Sequence, residues 1–188
     1  MIYIKDNFLD QKLFDALKES VNDFEKIDTP GKSFWIHLAE ENLIKYISIK
    51  LGEIENCKIE NVLAFFREAK QGQDNDWRIH NDTIINDQQP DRAIVLYMSP
   101  NASVLNGTAF WEHKEYGDTY PKDKDTEEFN RMLKEDSNDI YKWKLKTIIG
   151  HKENRLISYP CEYFHSKYPN EFKENRIVLV MFYKTKKI

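Results

Sequence analysis

Three of the five histidines in this 188-residue chain stand two positions before an acid: His80-Asn81-Asp82, His113-Lys114-Glu115 and His151-Lys152-Glu153. On an extended backbone, side chains two apart project from the same face. An imidazole and a carboxylate so placed can supply two ligands of a 2-His-1-carboxylate facial triad, the usual seat of non-haem Fe(II) with open coordination positions. The third ligand, a second histidine, must then come from a distant part of the chain. With 32 acids among 188 residues, about one His-x-acid pair is expected by chance, so the pattern alone selects nothing. The elements around it have to.

Residues 1–4 alternate weakly and read as a short edge strand. Asp10 suits the N-cap of a helix running to about residue 24, with Leu13, Phe14, Leu17, Val21 and Phe24 on one stripe. Thr29-Pro30-Gly31 reads as a turn, and a second amphipathic helix is predicted over 39–51, carrying Leu43, Ile44, Ile47 and Leu51. From Ile59 onward the apolar period becomes that of strands. Strands are predicted over 61–67 and 92–98, the latter built on Ala93-Ile94-Val95-Leu96-Tyr97, with an extended stretch at 77–82 between them and a loop at 84–91. Asn106-Gly107 is a turn signal before a strand at 108–113. Residues 117–144 break this rhythm. They are charged, contain Tyr120-Pro121, and predict a helix from 126 to about 135, read as a solvated insertion between strands. Strands follow near 145–149, 155–159, 162–167 and 176–183. Two helices and then seven or eight short strands predict a mainly β, α+β chain: a helix-supported β-sandwich or jelly roll.

A hydrophobic fraction of 40% with 13% aromatics suits a globular core. The net charge of −4 carries no basic excess, so nucleic acid is not an expected partner. Cys57 and Cys161 form neither a disulfide framework nor a CxxC site. The first residues lack the basic and long apolar regions of a signal peptide. The longest apolar run, 177–183, is far short of a membrane span. The expectation is one domain over 1–188, cytoplasmic, with no membrane partner.

Spacing separates the three His-x-acid pairs. Between Asp82 and His165 there is room for about four strands and the insertion, enough for a closed β-structure to bring a distal histidine back. The interval after Glu115 holds mostly the insertion and one hairpin, and His151 lies in a polar turn. His37, His113 and His151 therefore read as surface or structural. His165 is followed by Arg176, which opens the last apolar strand. A guanidinium there is costly unless paired, and its planar fork suits a bidentate hold on a carboxylate.

His80-Asn81-Asp82, His165 and Arg176, in that order, resemble the Fe(II)- and 2-oxoglutarate-dependent oxygenases of the prolyl 4-hydroxylase-like group. Asp6-Asn7-Phe8-Leu9-Asp10 is similar to that family's lead into its first helix, Tyr97-Met98-Ser99 to its Tyr-Leu-Asn strand, and Asn106-Gly107-Thr108-Ala109-Phe110 to its Gly-Gly-x-x-x-Phe segment. Arg155-Leu156-Ile157-Ser158-Tyr159-Pro160 is similar to the strand before its distal histidine. The resemblance covers nearly the whole chain outside the insertion at 117–144.

It implies a double-stranded β-helix supported by N-terminal helices. Fe(II) would be held by His80, Asp82 and His165, and 2-oxoglutarate would chelate the metal through its 2-oxo acid end. Arg176 and Tyr97 would hold the distal carboxylate, with O2 as the oxidant. The implied activity is a dioxygenase that hydroxylates a peptide side chain or small molecule and releases succinate and CO2. Asp82 stands where halogenating relatives carry a small residue, and Phe182 stands where AlkB-type demethylases carry a second arginine. The chain departs from the family at Val178, where many members have Ser or Thr, and at Gly107, one glycine where there are often two. Two other readings use the same residues: a non-oxidative cupin-like jelly roll (an isomerase or a sugar-binding module), and an interaction domain with a vestigial metal site.

Overall fold

Alternation along the last strand organises the molecule. Val178, Val180 and Phe182 face one apolar cluster, while Ile177, Leu179, Met181 and Tyr183 face another. A strand buried on both faces must lie inside a layered structure. The computed structural model describes residues 1–29, 32–72, 76–100, 102–120 and 126–187.

The elements run β1 (Tyr3–Lys5), α1 (Gln11–Ser20), β2 (Glu25–Thr29), β3 (Lys32–Leu38), α2 (Glu41–Glu55), β4 (Lys58–Ala69), β5 (Arg92–Tyr97), β6 (Thr108–His113), α3 (Thr126–Asp136), a 3-10 turn (Ile140–Lys142), β7 (Trp143–Ile149), β8 (Leu156–Pro160), β9 (His165–Lys167) and β10 (Arg176–Lys186). Seven strands form one sheet in the order β1-β8-β5-β10-β4-β3-β2. Three form a second in the order β7-β6-β9. Every named pairing is antiparallel. Val95, Tyr97, Ile157, Tyr159, Val178 and Phe182 of the large sheet meet Phe110 and Ile149 of the small one. The two sheets enclose the interior of a jelly roll.

The other face of the large sheet shares a cluster with the first two helices: Phe14 and Leu17 of α1 and Ile47 and Leu51 of α2 pack with Phe66, Leu96 and Met181. Asp10 caps α1, its side chain accepting from the Lys12 amide. That helix stops at Ser20, short of the predicted residue 24, because the Asn22 side chain donates to the Glu19 carbonyl and competes with the next helical bond. The second helix starts two residues later than predicted and runs four further, ending where Asn56 takes a left-handed backbone with φ 52°.

Between the helices, where only a turn is predicted, β2 and β3 form a hairpin on the edge of the large sheet. Its turn residues Pro30 and Gly31 lie outside the described residues. Lys-Ser-Phe-Trp-Ile after a Pro-Gly pair was the available signal. The insertion is also not simply solvated. Met132 is buried, and Phe129 and Leu133 pack with Ile79, Trp111, Trp143 and Phe164. Ala109 and Trp111 of β6 point away from the interior onto this cluster, so the small sheet is also covered on both faces.

Gly107 is required by a close approach rather than by a special φ. A Cβ at that position would lie 2.0 Å from the Ile149 carbonyl oxygen and 3.0 Å from Gly150 Cα, both backbone atoms. Gly107→Ala is expected to destabilise the protein by about 2 kcal/mol or more, the scale of overpacking in a dense interior. A chemical-denaturation midpoint equal to that of the wild type would refute this.

Candidate metal centre

His80 and His165 are joined through their backbones before their side chains meet. The His80 amide donates to the His165 carbonyl at 3.1 Å, and the His165 amide donates back at 2.8 Å. Two residues on, the Asp82 amide donates to the Cys161 carbonyl at 2.9 Å. Residues 80–82 thus run antiparallel to 161–165, beside β9. Of the predicted extended stretch 77–82, His80 forms an antiparallel β-bridge with His165. Arg78 has φ +44°, a left-handed conformation that costs an L-residue about 1–2 kcal/mol and breaks the strand. Alternation across the remaining bonds still puts His80 and Asp82 on one face.

The three side chains converge. His165 Nε2 lies 3.1 Å from Asp82 Oδ2 and His80 Nε2 lies 3.5 Å from Asp82 Oδ1. One donor atom from each residue falls within 4.8 Å of the others. Neighbouring ligands on bonds of roughly 2.1 Å sit roughly 3 Å apart, so small side-chain adjustments suffice for a divalent ion. Each imidazole is also oriented for ligation. His80 Nδ1 lies 2.7 Å from the Arg78 carbonyl, and His165 Nδ1 lies 3.0 Å from the Tyr163 carbonyl. Each carbonyl accepts the Nδ1 proton, which turns Nε2 toward the acid.

Burial works against ionisation of Asp82, but His165 and His80 more than offset it and hold the carboxyl far below its usual range. Burial also works against charge on His165, yet the adjacent Asp82 carboxylate prevails and raises that imidazole. His80 is lowered by burial and by repulsion from His165, although 31% of its side chain remains open to solvent.

Arg176 sits inside the same jelly roll and is 6% exposed. Its Nε donates to the Asn106 carbonyl at 3.2 Å and its Nη2 to the Gly107 carbonyl at 3.4 Å. The rings of Tyr97 and Phe172 lie 5.4 and 5.6 Å from its Cζ. Burial lowers its pKa. Among the described residues no carboxylate pairs with it. Glu174, the nearest acid in sequence, accepts instead from the Ser103 amide and from Asn106 Nδ2. A buried guanidinium held by two carbonyls and the Tyr97 hydroxyl, with no carboxylate among the described residues, suits an anionic ligand.

Tyr97 lies beside that guanidinium, with its hydroxyl 2.8 Å from Thr108 Oγ1 and 3.3 Å from the Ile149 carbonyl. Its β10 partner is Val178. Val178 carries no hydroxyl; the nearby hydroxyls belong to Tyr97 on β5, which pairs with β10, and to Thr108 on β6 of the small sheet. Thr108 escaped the sequence reading, since its strand neighbours are apolar. So did Tyr159, whose ring lies 4.8 Å from that of His165 and 5.1 Å from that of Phe110. Burial first, then the Asp82 charge, pushes its hydroxyl well up.

The remaining histidines stay out of the centre. His113 is buried rather than superficial. Its Nε2 bonds Asp136 at 3.2 Å, while its Nδ1 accepts the Glu115 and Tyr116 amides. His151 is also buried, bonding the Ser99 carbonyl at 2.9 Å with its ring 5.0 Å from Tyr97. His37, half-buried, bonds the Asp23 carbonyl.

No protein-family model and no curated protein matches the chain in sequence. Its fold is nonetheless shared with solved oxygenases of the prolyl 4-hydroxylase kind. A Pseudomonas putida prolyl-4-hydroxylase aligns with a TM-score of 0.59 at 10% identity, over 97% of this chain and 91% of that one. HygX of Streptomyces hygroscopicus, solved with nickel and 2-oxoglutarate, aligns with a TM-score of 0.64 at 9% identity, over 97% and 82%. A viral collagen prolyl hydroxylase from Paramecium Bursaria Chlorella virus-1, in its 2-oxoglutarate complex, aligns with a TM-score of 0.52 at 16% identity, over 100% and 96%. At such identities the likeness establishes the fold, and the residues must carry the function.

With His165 raised, a bound metal has to displace a proton from it. Affinity for Ni(II) is expected to strengthen as pH rises through the His165 titration and to level off above it, with about one proton released per ion on the acidic side. Calorimetric titrations in buffers of different ionisation enthalpy measure that proton directly. Proton-free binding at pH 6 would contradict the assignment.

Proposed function

We propose that this protein is an Fe(II)- and 2-oxoglutarate-dependent dioxygenase that hydroxylates a peptide side chain or a small molecule. The observation that carries this reading is the buried Arg176, without a carboxylate partner among the described residues, in the same interior as His80, Asp82 and His165. A metal site alone would suit a cupin-like isomerase or a sugar-binding module equally well. A buried cation in the same interior calls for an anion, and a 2-oxo dicarboxylate would offer one group to each.

His80, Asp82 and His165 would hold Fe(II) on one side and leave positions open for the 2-oxo acid and O2. Arg176 would grip the distal carboxylate, with the Tyr97 and Thr108 hydroxyls beside it. When bound, the iron, 2-oxoglutarate and O2 together supply the chemistry: decarboxylation to succinate and CO2, with one oxygen atom entering succinate and the other a substrate C–H bond. The protein's own part is orientation and exclusion of water. Phe110, Ile149, Val178 and Tyr159 close the interior, and the Nδ1 bonds keep both imidazoles in the ligating tautomer. Asp82 fills the carboxylate position, which favours hydroxylation over halogenation.

In this reading residues 1–188 form one oxygenase domain, with α1 and α2 buttressing the large sheet and 117–144 an insertion. Among the described residues no helix is long and apolar enough to cross a membrane. We place the protein in the cytoplasm, acting on a peptide or small molecule rather than on nucleic acid.

Anaerobic titration with Fe(II) and then 2-oxoglutarate tests the proposal through the visible metal-to-ligand charge-transfer band. The band should need both additions and vanish in His80→Ala. Arg176→Ala should keep the metal but raise the apparent Kd for 2-oxoglutarate by about 30-fold or more, roughly the 2 kcal/mol expected on removing one partner of a buried charge pair. Metal binding without any band would favour the cupin-like alternative.

A further inference from the structure

The arm that delivers His80 is held from outside the jelly roll. The Arg78 amide donates to Asn138 Oδ1 at 2.8 Å, and the next amide, Ile79, donates to the Ser137 carbonyl at 2.9 Å. Both acceptors lie just beyond the C-terminal end of α3, in the insertion, where helix-end carbonyls need outside donors. On its other side, the Arg78 carbonyl accepts from His80 Nδ1 at 2.7 Å. One peptide unit either side of a left-handed residue thus joins the Asn138 side chain to the imidazole. The Arg78 side chain reaches the opposite way, with its Cζ 4.4 Å from the Phe34 ring centre on β3.

We infer that Asn138 is a positioning residue for the metal ligand His80, acting through the backbone of Arg78, so that the insertion sets metal affinity. The inference rests on the reading of His80 as a ligand. Arg78 at φ +44° occupies a conformation that persists only where surrounding contacts impose it. Asn138 and Ser137 supply two of those contacts. With Asn138 removed, one of the contacts that impose this conformation is lost, and Arg78 shifts toward an ordinary φ. Its carbonyl then swings away from His80, and the imidazole loses both its preferred tautomer and its aim. Buried anchoring is provided separately by Ile79, Met132 and Trp143, whereas Asn138 itself is exposed. Its loss should therefore affect the arm and spare the fold.

The experiment uses the full chain and Ni(II), with affinity measured by calorimetry and Arg78 amide protection by hydrogen exchange. Asn138→Ala should weaken Ni(II) binding about tenfold or more, the usual effect of removing a residue that orients a ligand. It should also speed exchange at Arg78 and leave the denaturation midpoint of the metal-free protein unchanged. Asn138→Asp keeps the acceptor oxygen and should restore near-wild-type affinity. Asp139→Ala removes the bond that the Tyr141 amide donates to Asp139 Oδ1 and should bind Ni(II) normally. Should the alanine protein not fold, Asn138→Gln, whose acceptor is displaced by one methylene, is expected to show the same loss. Wild-type affinity in Asn138→Ala overturns the inference alone. So does an equal loss in Asp139→Ala, or a loss that follows the denaturation midpoint. Failure of the wild type to bind Ni(II) overturns the metal-site reading with it.

Discussion

The reciprocal backbone bonds between His80 and His165 are the constraint on which the rest depends. Two histidines far apart in sequence can meet at one acid only if their segments are held in a fixed register. Side-chain packing alone holds positions loosely. A pair of amide–carbonyl bonds at 3.1 and 2.8 Å fixes the register of the two segments, and strand alternation then carries Asp82 onto the same face. The carbonyls of Arg78 and Tyr163 complete the arrangement by selecting which nitrogen of each imidazole faces inward.

Electrostatics around that register is divided between two ends of one interior. At one end, an acid between two imidazoles stays ionised in spite of burial and raises the pKa of the His165 imidazole beside it. At the other, Arg176 is buried against carbonyl oxygens and two aromatic rings. Neither end is electrically complete by itself. Under the proposed function, a dication at the first and a dianion spanning both would offset the desolvation cost of each.

Around this interior the packing has two dependencies. Gly107 lets β6 come within contact of the Ile149 backbone, placing Thr108 and Phe110 toward the interior and Ala109 and Trp111 toward the insertion. The insertion in turn covers the outer face of the small sheet and holds Arg78 and Ile79. A segment whose composition resembles a solvated excursion is thus tied to the segment that carries the first ligand.

Legible within the amino-acid sequence are the strands that are buried on both faces, the cap at Asp10, the turn before Thr108 and the three residues His80, Asp82 and His165 that the fold brings together. These features are local, expressed in periodicity and residue type within a few positions. What only the tertiary structure decided was which surfaces meet. The β2–β3 hairpin becomes a sheet edge because β4 offers it unpaired amides. His113 and His151 are buried by elements distant in sequence, and Tyr97, Thr108 and Tyr159 gather near the centre only when two sheets close. The helix of the insertion also turns inward, because its single apolar stripe finds Trp111 and Phe164. Local pattern sets what each segment can form, while non-local burial and hydrogen bonding set what it faces.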